Sequence, residues 1–265
     1  MSQIPSLFIS HGSPDVAIAE TEATRFLRGL AAGLPRPRAI VVATAHFEAE
    51  GRVLVSGDAA PETIHDFGGF DRSLYEIRYP APGDPQLSST IAAALAGSGF
   101  AAEVVANRGF DHGTWVPLSL AFPQADIPVV QVSIDPGEGP AYHLRLGEAL
   151  AFLRSENVLV IGSGSFTHNL REAFARIRNN DRQAATPEWV SRFADWMTER
   201  LIAGDRSALE AYRSEAPFAR ENHPTDEHLM PLYVALGAAG LGAGATKLHG
   251  SHDFGVLAME AFAFA

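Results

Sequence analysis

Short apolar runs, mostly β-branched, alternate along the chain with longer stretches of helical periodicity. Leu7-Phe8-Ile9, Ile40-Val41-Val42-Ala43, Val129-Val130-Gln131-Val132 and Val158-Leu159-Val160-Ile161 read as strands covered on both faces. Between them the spacing predicts helices over 17–32, 87–96, 140–154 and 187–202. Pro140 and Pro187 suit first helical turns, where a missing N–H costs nothing. This alternation predicts an α/β fold, with a central, largely parallel sheet, mixed at the edge, and helices on both faces. Segment 205–222 is polar and predicts at most a short helix, while Thr246 to Ala258 predicts one or two edge strands. No repeat, low-complexity tract or charge block marks a boundary, so residues 1–265 read as a single domain.

Composition narrows the class. With 265 residues, 46% of them hydrophobic, the chain has material for one sizeable core. No run approaches the roughly 18 uninterrupted apolar residues of a membrane span. The opening Met1-Ser2-Gln3-Ile4-Pro5 lacks a basic region followed by an apolar stretch, which predicts a cytoplasmic protein without a secretory signal. The absence of cysteine excludes disulfide scaffolds, thiolate metal sites and cysteine nucleophiles. A net charge of −11 argues against nucleic-acid and anionic-membrane partners, and nothing in the pattern specifies an oligomer.

The ten histidines are informative by position. His11 follows the first predicted strand, His46 the second, and His168 the strand ending at Ile161, after what reads as a glycine-rich turn, Gly162-Ser163-Gly164-Ser165. Sites in open α/β sheets gather beyond the carboxyl ends of the strands, where three such residues can converge on a metal or a catalytic task. His112 lies in a turn feeding an apolar helix start, and His228 lies beyond Pro224, whose acidic followers suggest a helix N-terminus that Pro231 must interrupt. His223 and His228 are five residues apart, so they do not share a helix face, and at most one is a ligand. Without thiolates, a set of imidazoles suits zinc, iron, copper or nickel. Rival motifs are weak: the 162–167 run breaks both G-x-G-x-x-G and G-x-S-x-G, and neither a phosphate-binding loop nor H-E-x-x-H occurs. His249 and His252 read as solvated loop, and His143 as the exposed side of a helix.

Seven blocks taken in order, Ser10–Pro14, Thr44–Phe47, Thr63–Phe70, Tyr79–Gly83, Gly109–Trp115, Gly162–Leu170 and Pro224–Leu232, carry a resemblance. Together they resemble the DOPA-dioxygenase type of extradiol aromatic ring-opening dioxygenases. That family lies in the class III superfamily typified by the catalytic subunit of protocatechuate 4,5-dioxygenase. The resemblance implies one divalent metal ion held by His11, His46 and His228, with Fe(II) expected for activity and Zn(II) a plausible occupant. It keeps Glu227 open as a carboxylate ligand. It implies His168 as a general base for a catechol hydroxyl and His112 as a proton donor or hydrogen-bond partner for dioxygen. His65 and Tyr233 become substrate-binding candidates. The implied partners are a small catechol and O2, and the implied product is a hydroxymuconic semialdehyde. Two alternatives stay open, a zinc-dependent hydrolase on the same scaffold and a non-enzymatic metal-binding relative.

Overall fold

A computed structural model, describing residues 3–179 and 181–265, places the four predicted strands side by side in the middle of one sheet. The strands are β1 Ser6–Ser10, β2 Ala39–Glu48, β3 Val53–Ser56, β4 Ala102–Val105, β5 Val129–Ile134, β6 Val158–Gly164, β7 Ala245–His249, β8 His252–Asp253, β9 Leu257–Ala258 and β10 Ala261–Phe264. The eight-stranded order is β4-β3-β5-β2-β6-β1-β10-β7. β5, β2, β6 and β1 are mutually parallel. Antiparallel pairs flank them, β3 joining β5 on one side and β10 joining β1 on the other. The predicted edge strands at the C-terminus are present, but β10, beyond the predicted span, is the one that reaches β1. Its Ala-Phe-Ala-Phe alternation buries Phe262 and Phe264.

The helices are α1 Glu22–Leu30, α2 Pro85–Gly97, α3 His112–Ala121, α4 Pro140–Leu150, α5 Leu170–Arg178, α6 Glu188–Ala203, α7 Arg206–Glu210, α8 Tyr212–Glu215, α9 Ala219–Asn222 and α10 Met230–Ala238. Period-2 geometry splits each central strand between two cores. Ile40 and Val42 of β2 pack with α1, α3 and α6, whereas Val41 and Ala43 pack with α2 and α4. α1 is shorter than predicted because Thr21 starts it, its hydroxyl accepting from the Thr24 N–H at 3.2 Å while Thr24 reciprocates at 2.9 Å. Pro187 caps α6 from just outside it, while Pro140 occupies the first turn of α4. The expected helix start at Pro224 is absent: 224–229 is irregular, and Pro231 sits in the first turn of α10 rather than interrupting a helix. None of the helices described is long and apolar enough to cross a membrane.

His143 is not on the exposed side of its helix. It is fully buried against the turn joining β5 to α4, with Nδ1 donating to the Gly139 carbonyl at 2.9 Å and Nε2 accepting from the Asp135 N–H at 3.3 Å. Burial lowers its pKa to about 4. An unfolded imidazole titrates near 6.5, so between these values the unfolded chain binds the extra proton. The stabilisation is therefore complete above pH 6.5 and is lost as pH falls through 4. Calorimetric unfolding across that window should show His143→Asn less stable than the parent at pH 7, with a shallower acid-side decline by up to about 1.4 kcal/mol per pH unit.

Candidate metal centre

Each histidine of the site is placed by a structural device of its own. His11 immediately follows β1, its N–H donating to the Gly164 carbonyl at 3.0 Å. The turn continues through Gly12 at φ +68°, where a Cβ would also crowd Met259 and Val16. His46 lies within β2, where pairing with β5 jumps from Ala43↔Val132 to Glu48↔Ile134. That irregularity turns the His46 ring out of the pleat and over the strand ends. His112 opens α3, whose first turn is capped by Asp111 accepting from the Thr114 N–H at 3.1 Å. Asp111 is buried between Thr44 and Arg108, and burial raises its pKa against the pull of the guanidinium.

The run Gly162–Gly164 forms the end of β6 rather than a turn. A Cβ at Gly162 would strike the Pro231 carbonyl, and one at Gly164 the carbonyl of His228. The glycines are there to let the His228 segment lie on bare strand, where the Ser165 N–H holds the His228 carbonyl at 2.8 Å. His168 follows, its own N–H bound to the Asn222 carbonyl at 2.9 Å.

These placements bring three ring nitrogens together. His46 Nε2 lies 3.2 Å from His11 Nε2 and 3.3 Å from His228 Nε2. The opposite nitrogens fix the tautomers. The Ser163 hydroxyl donates to the Gly113 carbonyl, so its oxygen accepts from His11 Nδ1 at 3.1 Å. The Glu227 carboxylate, which can only accept, holds His228 Nδ1 at 2.9 Å, and His46 Nδ1 faces Asp66 at 3.6 Å. With the Nδ1 protons of His11 and His228 so committed, their Nε2 lone pairs both point at Nε2 of His46. Burial and neighbouring rings keep all three uncharged, pushing His46 down to about 3 and His11 and His228 well below the usual histidine value. Facing lone pairs repel unless a cation lies between them. The spacing matches the edge of a coordination polyhedron with metal–nitrogen bonds of about 2.0–2.1 Å. The donor set therefore fits one divalent ion, and the carboxylate and hydroxyl behind the rings are the outer contacts such ligands need.

Two further histidines border the cluster. His168 stacks on His228, ring centres 3.4 Å apart, with Nδ1 3.8 Å from Glu227. Burial, helped by His223 and the other rings, drives its pKa well below the usual value. His112 packs beside His46, and its Nδ1 lies 3.0 Å from Asp66. Burial would raise the pKa of Asp66, but the His112 hydrogen bonds and charge outweigh it and hold the carboxyl below the usual carboxylate range. All five rings line one cavity of about 230 Å³.

Other candidates do not reach it. Tyr233 is buried in α10 with its hydroxyl donating to the Leu209 carbonyl at 2.8 Å, so it is a core residue and not a substrate contact. His65 points its Nε2 at the Ile77 carbonyl, 3.1 Å away, behind Phe67 and outside the cavity. His223 is buried on the Phe166 carbonyl. His249 stacks on Phe26 within β7 rather than in a solvated loop, while His252 is exposed in β8. Glu227 approaches His228 from the side of the ring opposite the Nε2 cluster. Sequence reasoning assigned no role to Ser163 or Asp66. An acceptor partner for Nδ1 is the signal that singles them out, and it appears only once the rings have met.

A family profile described as the catalytic LigB subunit of aromatic ring-opening dioxygenase matches residues 4–258. The chain belongs to that family. Among its relatives, a protein named 4,5-DOPA dioxygenase extradiol from Beta vulgaris is 38% identical over 98% of this chain and 96% of its own. One of the same name from Escherichia coli (strain K12) is 37% identical over 89% and 86%. The crystal structure of an uncharacterized protein from Escherichia coli K12 superposes with a TM-score of 0.77 at 31% identity, covering 99% of this chain and 100% of the other. As a member of the LigB family the chain is an extradiol ring-opening dioxygenase, and its imidazole cluster has the donor chemistry of that metal-dependent group.

If the outer acceptor sets the His228 lone pair, Glu227→Gln should weaken metal binding by about 10–100-fold without unfolding the chain. Competition titration of Zn(II) against a chelator checks this, and affinity equal to that of the parent would show that the carboxylate does not orient the ring.

Proposed function

We propose that this chain opens a catechol-type, DOPA-like aromatic diol with O2 to give a hydroxymuconic semialdehyde, residues 1–265 serving as one catalytic domain. His11, His46 and His228 are the proposed ligands of a single divalent ion, Fe(II) in the active protein. Zn(II) competes for such a site because imidazole sets bind it more tightly than Fe(II). The carrying observation is the convergence of three Nε2 atoms, with Nδ1 of His11 and of His228 already engaged on the far side of their rings. The relatives' names supply the diol and the extradiol chemistry.

When bound, the ion would gather both diol oxygens, lower the pKa of their protons and bring O2 next to the ring. The protein's part is proton traffic and exclusion of water. His168, neutral through burial, has a free lone pair for the second diol proton, and the stacked His228 ring fixes the plane in which it is offered. His112 turns Nδ1 towards Asp66, 3.0 Å away, and lines the cavity with its ring. Its place at the cavity beside His46 suits His112 to hand a proton to an oxygen of the opening ring. Aromatic and aliphatic side chains around the imidazoles limit competing hydrolysis by bulk water.

Fe(II)-loaded protein in an oxygen electrode should consume O2 only when a catechol is added. Ester hydrolysis in the absence of oxygen, or no uptake across a broad catechol panel, would overturn the proposal. His11→Ala, His46→Ala and His228→Ala should each lose tightly bound metal by elemental analysis. His168→Ala should retain the ion while kcat falls by about 10²–10⁴. Loss of the ion from His168→Ala would instead move that residue among the ligands.

A further inference from the structure

His46 is the middle member of the cluster, its Nε2 3.2 Å from that of His11 and 3.3 Å from that of His228, so a shift of its ring changes both spacings at once. The main chain that carries it lies outside the ladders of the sheet. Pairing of β2 with β6 ends at Thr44, and pairing with β5 lapses between Ala43 and Glu48, which leaves residues 45–47 without a ladder partner among the described residues. Backbone groups withdrawn from a ladder need other partners when water is scarce, and here side chains supply them. The Thr44 hydroxyl oxygen accepts from the His46 N–H at 3.2 Å, and Arg108 Nη2 donates to the His46 carbonyl at 3.2 Å.

Asp111 ties these two supports together. One of its carboxylate oxygens accepts from the Thr44 hydroxyl at 2.9 Å, and the other is bound by the same Nη2 of Arg108. Thr44 and Asp111 are fully buried, while the Arg108 guanidinium lies over Phe47, 4.5 Å from the centre of the ring. The fit is close: a Cβ on Gly113 would come within 2.6 Å of Thr44 Oγ1 and 2.9 Å of His46 Cδ2. We infer that Arg108 and Thr44, joined through Asp111, are positioning residues of the metal centre. They hold the His46 peptide by its N–H and its carbonyl, and so set where its ring meets the other two. The inference rests on His46 as a ligand and adds how that ligand is held. Arg108 and Thr44 do not line the cavity, so their effect reaches the ion through His46.

Zn(II) affinity, read by competition with a chromophoric chelator, and the visible spectrum of the Co(II)-loaded protein together test this. Thr44→Val keeps the shape of the side chain, and Arg108→Met keeps a contact with Phe47. Each should weaken Zn(II) binding by about 10–100-fold and alter the Co(II) bands. Arg108→Lys can set one ammonium between the Asp111 carboxylate and the His46 carbonyl, and should recover most of the loss. Asp58→Ala is the control for a loosened loop, because Asp58 binds the Arg108 main chain, N–H to carboxylate 2.9 Å, rather than its guanidinium. Its Zn(II) affinity should equal the parent's. Parental affinity and bands in either Thr44→Val or Arg108→Met would overturn the inference, so one folded variant is enough to decide it. An equal loss in Asp58→Ala, or a loss in Arg108→Met that Arg108→Lys does not repair, would overturn it as well. His46→Ala separates the two readings. If it too keeps parental affinity, His46 is not a ligand; if it alone loses the ion, the ligand stands and the positioning network fails.

Discussion

Three imidazole lone pairs aimed at one point are the constraint on which the rest of this structure depends. Each ring would relax by rotating or by taking up a proton, and both escapes are closed. Rotation of His11 and His228 is opposed because Ser163 and Glu227 bind the opposite nitrogens. Protonation is disfavoured because the rings are buried beside one another, so one positive charge raises the cost of the next. What remains is a neutral, electron-rich cluster whose repulsion a divalent cation relieves.

Maintaining that cluster requires main-chain precision, which the sheet supplies. His11 is held at a strand end through a neighbouring carbonyl, His46 by an irregularity within a strand, and His228 by resting against Gly162 and Gly164 of β6. None of these three supports is a flexible side chain. A site built on strand ends inherits the stiffness of a doubly covered sheet.

Much of this was legible in the residue order. The four central strands are apolar enough to be recognised singly, and the histidines that follow them point to the C-terminal edge of a parallel sheet, where the structure puts them. The misreadings share a physical origin, in partners distant in sequence or hidden in a turn. Tyr233 sits in an apolar stretch with nothing nearby to receive its hydroxyl, and its acceptor, Leu209, belongs to another helix. His143 looks like a polar face residue until the turn before it is seen to offer its ring a carbonyl at Gly139 and an N–H at Asp135. Gly162 and Gly164 read as a turn because the contacting carbonyls of Pro231 and His228 lie far along the chain. Asp66 and Ser163 were invisible as partners for the same reason.

The separation between the sheet edge and α5 has an evolutionary consequence. The clustered imidazoles are locked into the interior, where almost any exchange disturbs packing, whereas α5, which also lines the cavity, is a charged surface helix. Leu170 and Phe174 can be replaced at little cost to folding. A lineage could therefore reshape one side of the cavity through a few codons of a single helix, leaving the imidazole cluster inherited intact.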